Sequence, residues 1–257
     1  SNLEPKIMHA RCGRCENNCA LTISSFGKKK FISGNRCERG SGNNGSYNLL
    51  PNMYQYKYDR LFNYESLPLE EASRGEIGIP RVLNMYENYP FWHTLFTNLG
   101  FRVVLSDHSN RNLFLKGIES IPSESACYPA KIVHGHIMNL ISKGIKTIFY
   151  PCIMYEKKEF KKADNNYNCP IVTSYSEAIK LNVLDLKHEN VKFLNPFLPL
   201  EDDKLCDVLY KLEEFKEFNF TKKELKNAIK LASMEMNNFR TDIINKGKEF
   251  LEYIEKH

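Results

Sequence analysis

Ile79-Pro80-Arg81-Val82-Leu83-Asn84-Met85, then Phe91 through Leu99, then Gly100 and Phe101-Arg102-Val103-Val104-Leu105, is the stretch that decides the fold. Arg81 to Met85 reads as a short buried strand. Phe91, Leu95 and Leu99 recur at helical spacing, and Gly100 supplies the C-terminal stop. A second strand, Phe101 to Leu105, ends in Ser106-Asp107. The alternation continues downstream. A helix over Pro129 to Ser142 stops at Gly144, a strand over Ile145 to Tyr150 is cut by Pro151, and Ile171-Val172 starts a short element before helical Ser176 to Leu181. Val191 to Leu194 is the last strand, broken by Pro196 and Pro199. Short strands alternating with helices require parallel pairing and right-handed crossovers. The expected class is α/β, a Rossmann-like layered domain with a parallel sheet over residues 79–200.

Outward from this core the pattern changes. Residues 1–46 form a Cys-rich, zinc-ribbon-like metal-binding module with its linker. Ala20-Leu21-Thr22-Ile23 runs out, Gly27-Lys28-Lys29-Lys30 turns, Phe31-Ile32-Ser33 returns, and the Gly- and Asn-rich run 40–45 connects onward. Residues 47–78 are a Tyr- and Leu-rich connecting segment. Residues 201–257 are a helical arm, in which Leu225, Ala228, Ala232, Met236 and Phe239 mark one apolar face. The arm either packs back on the layered domain or leads toward a further domain. Ser1-Asn2 reads as the remnant of a cleaved tag, so the chain is expected to be a piece of a longer protein.

The eight cysteines fall into two groups. Cys12-x2-Cys15-x3-Cys19, with Cys37 beyond the hairpin, offers four soft thiolates to a unit too small to bury much apolar surface, so a metal would supply folding energy. Tetrahedral zinc is the first expectation and an iron–sulfur cluster the alternative. Asn17-Asn18 and Asn35-Arg36 suit the tight turns such a site needs. Cys127 stands before Pro129 at the positive end of the next helix, a position that favours a bound thiolate. Cys152 follows the strand that ends at Tyr150. Cys169 precedes Pro170 after an Asn-rich loop. Cys127 and Cys152 are placed toward the C-terminal edge of the strands, where open α/β sheets gather ligands, and Cys169 reaches that edge if its loop folds over. Singly, each cysteine is more often a small buried hydrophobe than a ligand. Cys206, inside a helix, reads as simply buried.

Net charge is +5, hydrophobic residues make up 42% and no run of 18 apolar residues occurs, so neither a membrane span nor a nucleic-acid stripe is expected. Without an export signal the thiols are expected to be reduced and the protein cytoplasmic. The lysine pairs at 157–158, 161–162 and 222–223 read as solvated surface, with a basic rim available to a phosphorylated or CoA-like ligand.

Ile79-Pro80-Arg81-Val82, Tyr89-Pro90-Phe91-Trp92, Leu99-Gly100-Phe101, Ser123-Glu124 through Ala130-Lys131, and His134-Gly135-His136 resemble the domain that accompanies the activator ATPases of 2-hydroxyacyl-CoA dehydratases. Ser33-Gly34-Asn35-Arg36-Cys37-Glu38-Arg39-Gly40 is similar to that family's cysteine-rich lead-in. The resemblance implies Rossmann-like domains around an iron–sulfur cluster held by three cysteines and fed low-potential electrons by an ATPase. Carried onto this chain, it implies Cys127, Cys152 and Cys169 as ligands of a [4Fe–4S] cluster or of half a double cubane. It also implies an activator ATPase domain or subunit as partner, and admits a homodimer and a CoA-linked substrate. The chain departs from the full pattern in lacking a phosphate-binding ATPase motif and in stopping before a second Rossmann-like domain.

Two other functions compete. In a non-catalytic docking module the N-terminal zinc ribbon binds a partner and the three dispersed cysteines are incidental. A thiol-redox enzyme built on Cys12-x2-Cys15 is weaker, because that pair does not sit between a strand and a helix. His134 and His136, two apart on a helix, make a poor metal pair and are expected to be packing residues. Glu124 is expected to be structural, Lys131 to offset negative charge near Cys127, and Tyr89 and Trp92 to be core or rim aromatics.

Overall fold

The computed structural model describes residues 4–14, 17–37, 40 and 51–256. The chain divides into two compact units, Ser1–Asn52 with Glu252–His257, and Met53–Leu251.

The first unit holds three antiparallel strands in the order β1-β2-β3: β1 Lys6–Arg11, β2 Ala20–Phe26 and β3 Lys29–Ser33. The hairpin turns at Gly27, whose φ of +58° suits glycine. β1 is an additional strand, paired so that Arg11 faces Ala20, while Thr22 faces Ser33 across the hairpin. Cys12, Cys19 and Cys37 therefore all emerge at the same end of the sheet. Gly34 closes that end at φ +84°, with the Ala20 carbonyl oxygen only 2.3 Å from where a Cβ would stand. No other residue fits there.

The second unit is α/β, with a four-stranded parallel sheet in the order β5-β4-β6-β7. Its strands are β4 Glu76–Ile79, β5 Arg102–Leu105, β6 Thr147–Phe149 and β7 Lys192–Leu194. Nine helices accompany them among the described residues: α1 Met53–Phe62, α2 Met85–Asn98, α3 Arg111–Gly117, α4 Tyr128–Ser142, α5 Pro170–Asn182, α6 Asp185–His188, α7 Asp202–Lys211, α8 Glu213–Lys216 and α9 Lys222–Lys256. From β4 the chain moves one way to β5, then returns past β4 to β6 and β7. This is the order of a doubly wound sheet, whose switch point is the crevice between the C-terminal ends of β4 and β6.

Two expectations are corrected. The first strand is Glu76–Ile79, not Arg81–Met85. Pro80 ends it, Leu83 turns through the left-handed region at φ +42°, and α2 begins at Met85 with Pro90 inside it. Ile171-Val172 does not start a separate short element before the helix either. Pro170 opens α5 directly, its fixed φ and missing N–H costing nothing in a first helical turn.

The core is aromatic. Trp92 and Phe96 of α2 meet Phe149 of β6 edge-on at centroid distances of 4.9 and 4.7 Å. The arm packs back on this unit: Leu225, Ala228, Ala232, Met236 and Phe239 are all buried in the same apolar cluster as Trp92. Cys206 is buried in α7, as its position within a helix suggested.

Candidate functional site

Three chain segments bring Cys127, Cys152 and Cys169 to the C-terminal edge of the parallel sheet. Cys127 and Cys169 are the N-caps of α4 and α5, with nearly identical backbone angles (φ −63°, ψ 153° and φ −63°, ψ 154°). In both helices a proline in the first turn fixes the entry, and both thiols are exposed. The Cys169 sulfur accepts from the Val172 N–H at 3.5 Å. Each thiol thus stands at the positive end of a helix of 13 or more residues, where negative charge is stabilised.

Cys152 differs. It continues β6 by one parallel bridge to Phe197, its N–H donating to Pro196 O and its carbonyl accepting from Leu198 N. It is fully buried, and its sulfur lies 2.9 Å from the Ser176 hydroxyl of α5. Burial pushes its thiol pKa up, against the Ser176 hydrogen bond.

The excursion between Cys152 and Cys169 is clamped by Glu156. Its carboxylate accepts from the Asn88 amide of α2 and from the Asn168 amide. Asn168 also donates to Ile153 O, and Tyr155 pairs with Tyr167 as an antiparallel bridge. The loop is folded back on itself, which returns Cys169 toward the strand end that carries Cys152.

Two tyrosines lie buried near these thiols. Tyr150, at the end of β6, has its pKa raised first by burial, then by the negative charges available at Cys152, Tyr175 and Cys169. Tyr175 is raised by burial and then by Cys127. The Tyr175 hydroxyl reaches His134 Nε2 at 3.1 Å, and His134 Nδ1 lies 2.7 Å from Ser120 Oγ, which itself donates to Gly117 O. With the serine proton committed to Gly117, His134 donates from Nδ1 and Tyr175 donates to Nε2. Tyr150 has no such outlet. Its hydroxyl is buried and has no hydrogen-bond partner among the described residues.

An unpaired buried hydroxyl is costly. In the protein without a bound group, Tyr150→Phe is expected to raise unfolding stability by about 1–2 kcal/mol, read by urea denaturation. A loss of stability would mean that the hydroxyl already has a partner.

The remaining residues are structural. His136 is held between Ser106 Oγ at 2.7 Å and Ser109 Oγ at 2.9 Å. Lys131 donates to the Glu124 carbonyl. Tyr89 and Trp92 are core. Tyr150 and Glu156 carried no motif; only their place after a strand end and before an Asn-rich loop could have marked them.

In the N-terminal unit the Cys12 N–H donates to Cys19 O at 2.9 Å, Asn18 is left-handed at φ +41°, and the Asn35 amide donates to Cys37 O. Cys15 lies outside the described residues. Among the described residues, no three His, Cys, Asp or Glu side chains are grouped to hold one metal ion. In a cubane each thiolate binds a different iron, so its ligands stand farther apart than those of a single ion. No helix is long and apolar enough to cross a membrane among the described residues.

A family model described as the CoA enzyme activase uncharacterised domain matches residues 76–257, the segment that carries the sheet and all three cysteines at its edge. No curated protein and no solved structure matches the chain.

Proposed function

The chain belongs to the family of the CoA enzyme activase uncharacterised domain, and from that membership we propose an iron–sulfur component of an ATP-dependent, low-potential electron-transfer system related to 2-hydroxyacyl-CoA dehydratase activation. Cys127, Cys152 and Cys169 are the ligands of a [4Fe–4S] cluster, or of half a double cubane shared across a homodimer. The observation that supports this reading is the matched placement of Cys127 and Cys169 as exposed N-caps of α4 and α5, with Cys152 at the end of β6 against Ser176 of α5 and a buried phenol, Tyr150, without a hydrogen-bond partner among the described residues two positions before it.

The chemistry of the donor set fits an anionic, sulfur-ligated group. Two of the thiols sit at helix N-termini, which offset negative charge. Cys152 is fully buried, and Tyr150 offers an O–H with no acceptor among the described residues. Hydrogen bonds to sulfur and burial are the means by which a protein tunes such a group. When bound, the cluster supplies one-electron transfer. The chain's own residues hold it, shield one side of it and leave the Cys127 and Cys169 side open to the activator ATPase partner or to a CoA-linked substrate. Cys12, Cys15, Cys19 and Cys37 hold zinc, with a second cluster as the other occupant, and fold a docking module.

One observation favours a second reading, a non-catalytic docking module: the Cys152 thiol already has a hydrogen-bond partner in Ser176, as a purely structural cysteine would. Anaerobic purification separates the two. The cluster reading expects about four iron atoms per chain and matching sulfide after reconstitution, falling to below one in Cys152→Ser and in Cys127→Ser, with zinc retained. A colourless, iron-free protein after reconstitution, or iron unchanged in both variants, overturns it.

A further inference from the structure

The half-buried arginines of the second unit nearly all face carboxylates: Arg60 pairs with Glu235, Arg74 with Glu224, Arg102 with Glu76 and Arg240 with Glu159. Arg81 does not. Among the described residues it makes no ion pair. Its Nε–H donates to Ser106 O at 2.8 Å, one Nη1 proton reaches Tyr58 OH at 3.3 Å, and its guanidinium lies 5.1 Å from the Phe62 ring centroid. A guanidinium carries five N–H groups, so three have no acceptor among the described residues. They border a cavity of about 180 Å³ lined by Tyr58, Asp59, Phe62, Asn63, Arg81 and His108. This cavity lies at the C-terminal ends of β4 and β5, on the edge where parallel sheets receive ligands.

The frame around the guanidinium is rigid. Ser106 Oγ accepts from the Arg81 N–H and meets His136, so the side chain's base is held by β5 and α4 together. Tyr58 stacks on His108 at 5.5 Å and bonds its Nδ1 at 2.9 Å, which fixes the opposite wall. An arginine positioned by its Nε and stacked on an aromatic ring presents its outer N–H pair to a planar, two-oxygen acceptor.

We propose that this cavity is a binding site for a small monocarboxylate, held two-pronged by Arg81 with Tyr58 and Asn63 at its rim. The charge of the lining decides between carboxylate and phosphate. Asp59 and the C-terminal end of α1 contribute negative potential on the far side, which disfavours the second charge of a phosphate dianion. The volume admits an acid of only a few carbon atoms and excludes a nucleotide-sized ligand. None of the three cysteines lines the cavity, so the proposal does not depend on what they hold.

The test is a titration of the full chain with butyrate and, separately, inorganic phosphate, followed through the Arg81 Nε–Hε resonance by NMR. Butyrate is expected to saturate at roughly 1–10 mM and phosphate to bind more weakly. Arg81→Gln should abolish the response, read there through Tyr58 and His108. Because Arg81 also braces Ser106, the exposed Asp59→Asn is the second variant. It should tighten butyrate by about threefold to tenfold and narrow the gap to phosphate. No saturable shift by butyrate, or an affinity unmoved by Asp59→Asn, overturns the proposal. Phosphate binding more tightly than butyrate overturns the choice of carboxylate.

Discussion

Acidification from pH 7 to pH 5 is expected to remove about 4 kcal/mol or more from the stability of the Met53–Leu251 unit. The cause is a set of histidines buried neutral. His93 is pulled down to about 4 by burial, against the Glu65 backbone and the Glu235 charge. His136 falls to about 4 through burial and the Arg81 charge, against Asp107, and His134 falls to about 4 through burial alone. Between pH 6.5 and 4 the unfolded chain binds protons at these imidazoles that the folded protein refuses, so stability falls as pH falls. Above pH 6.5 neither state is charged and the effect vanishes; below 4 both are, and it levels off. At pH 5 each group lowered from 6.5 to about 4 contributes a loss of about 2 kcal/mol relative to pH 7. His93 and His136 supply the 4 kcal/mol, and His134 acts in the same direction. Against a typical stability of about 5–15 kcal/mol, this brings the unit near unfolding.

Urea denaturation followed by Trp92, the single tryptophan and fully buried, measures this directly at pH 7, 6 and 5. His93→Phe should remove about 2 kcal/mol of the loss between pH 7 and pH 5, because His93 sits among Tyr64 and Tyr89 with its Nε2 unpartnered among the described residues. Asp107, Glu224 and Glu235, whose pKa values are lowered by hydrogen bonds and by Lys143, Arg74 and Arg60, add their losses only at lower pH. The two windows are therefore separable. A flat profile from pH 7 to 5 would refute the neutral, buried assignment.

What the sequence made legible follows from how local each signal is. Gly100 and Gly144 end α2 and α4 at φ +79° and +82°, and a left-handed stop after a helical apolar pattern needs nothing from the rest of the chain. Pro129 announced α4 for the same reason. The strand at Glu76–Ile79 was hidden because it contains a glutamate and a glycine and is only four residues long, while the apolar Val82-Leu83 beside it looked more strand-like. Gly78 has a tertiary reason. A Cβ there would meet Ile145 at 2.9 Å and Leu140 at 3.2 Å, so the central strand gives up a side chain to let α4 and its C-terminal turn come close. The Glu156 clamp was out of reach in another way: its partner Asn88 lies 68 residues distant, and no local pattern encodes such a pairing. Tyr150 stood out only once its surroundings were known, because an unpartnered hydroxyl is a property of the packed interior and not of the residue type.

The His134-Gly135-His136 motif gains its meaning the same way and leads to a severe substitution. Gly135→Ala is expected to cost about 3 kcal/mol or more, lowering the melting temperature by about 6–12 °C for a unit of this size. Helix propensity predicts the opposite sign, since Gly135 lies inside α4 and alanine there should gain about 1 kcal/mol. Packing decides. A Cβ on Gly135 would stand 2.0 Å from the Leu113 carbonyl oxygen of α3, and one on Gly117 would stand 2.2 Å from Gly135 N. The two helices cross backbone to backbone, so no side chain can rotate away and the helices must separate. Separation pulls His134 from Ser120 and Tyr175, and His136 from Ser106 and Ser109, leaving buried polar groups exposed to loss of their partners. It also moves the helix whose first turn presents Cys127, so iron uptake should fall together with stability. Gly247→Ala is the control. Its Cβ meets nothing within 4 Å in α9, so propensity acts unopposed there and stability should rise by about 0.5–1 kcal/mol. Thermal and urea denaturation of the pair compare the two effects in one chain, and a Gly135→Ala variant as stable as the parent would show that α3 and α4 do not meet at their backbones.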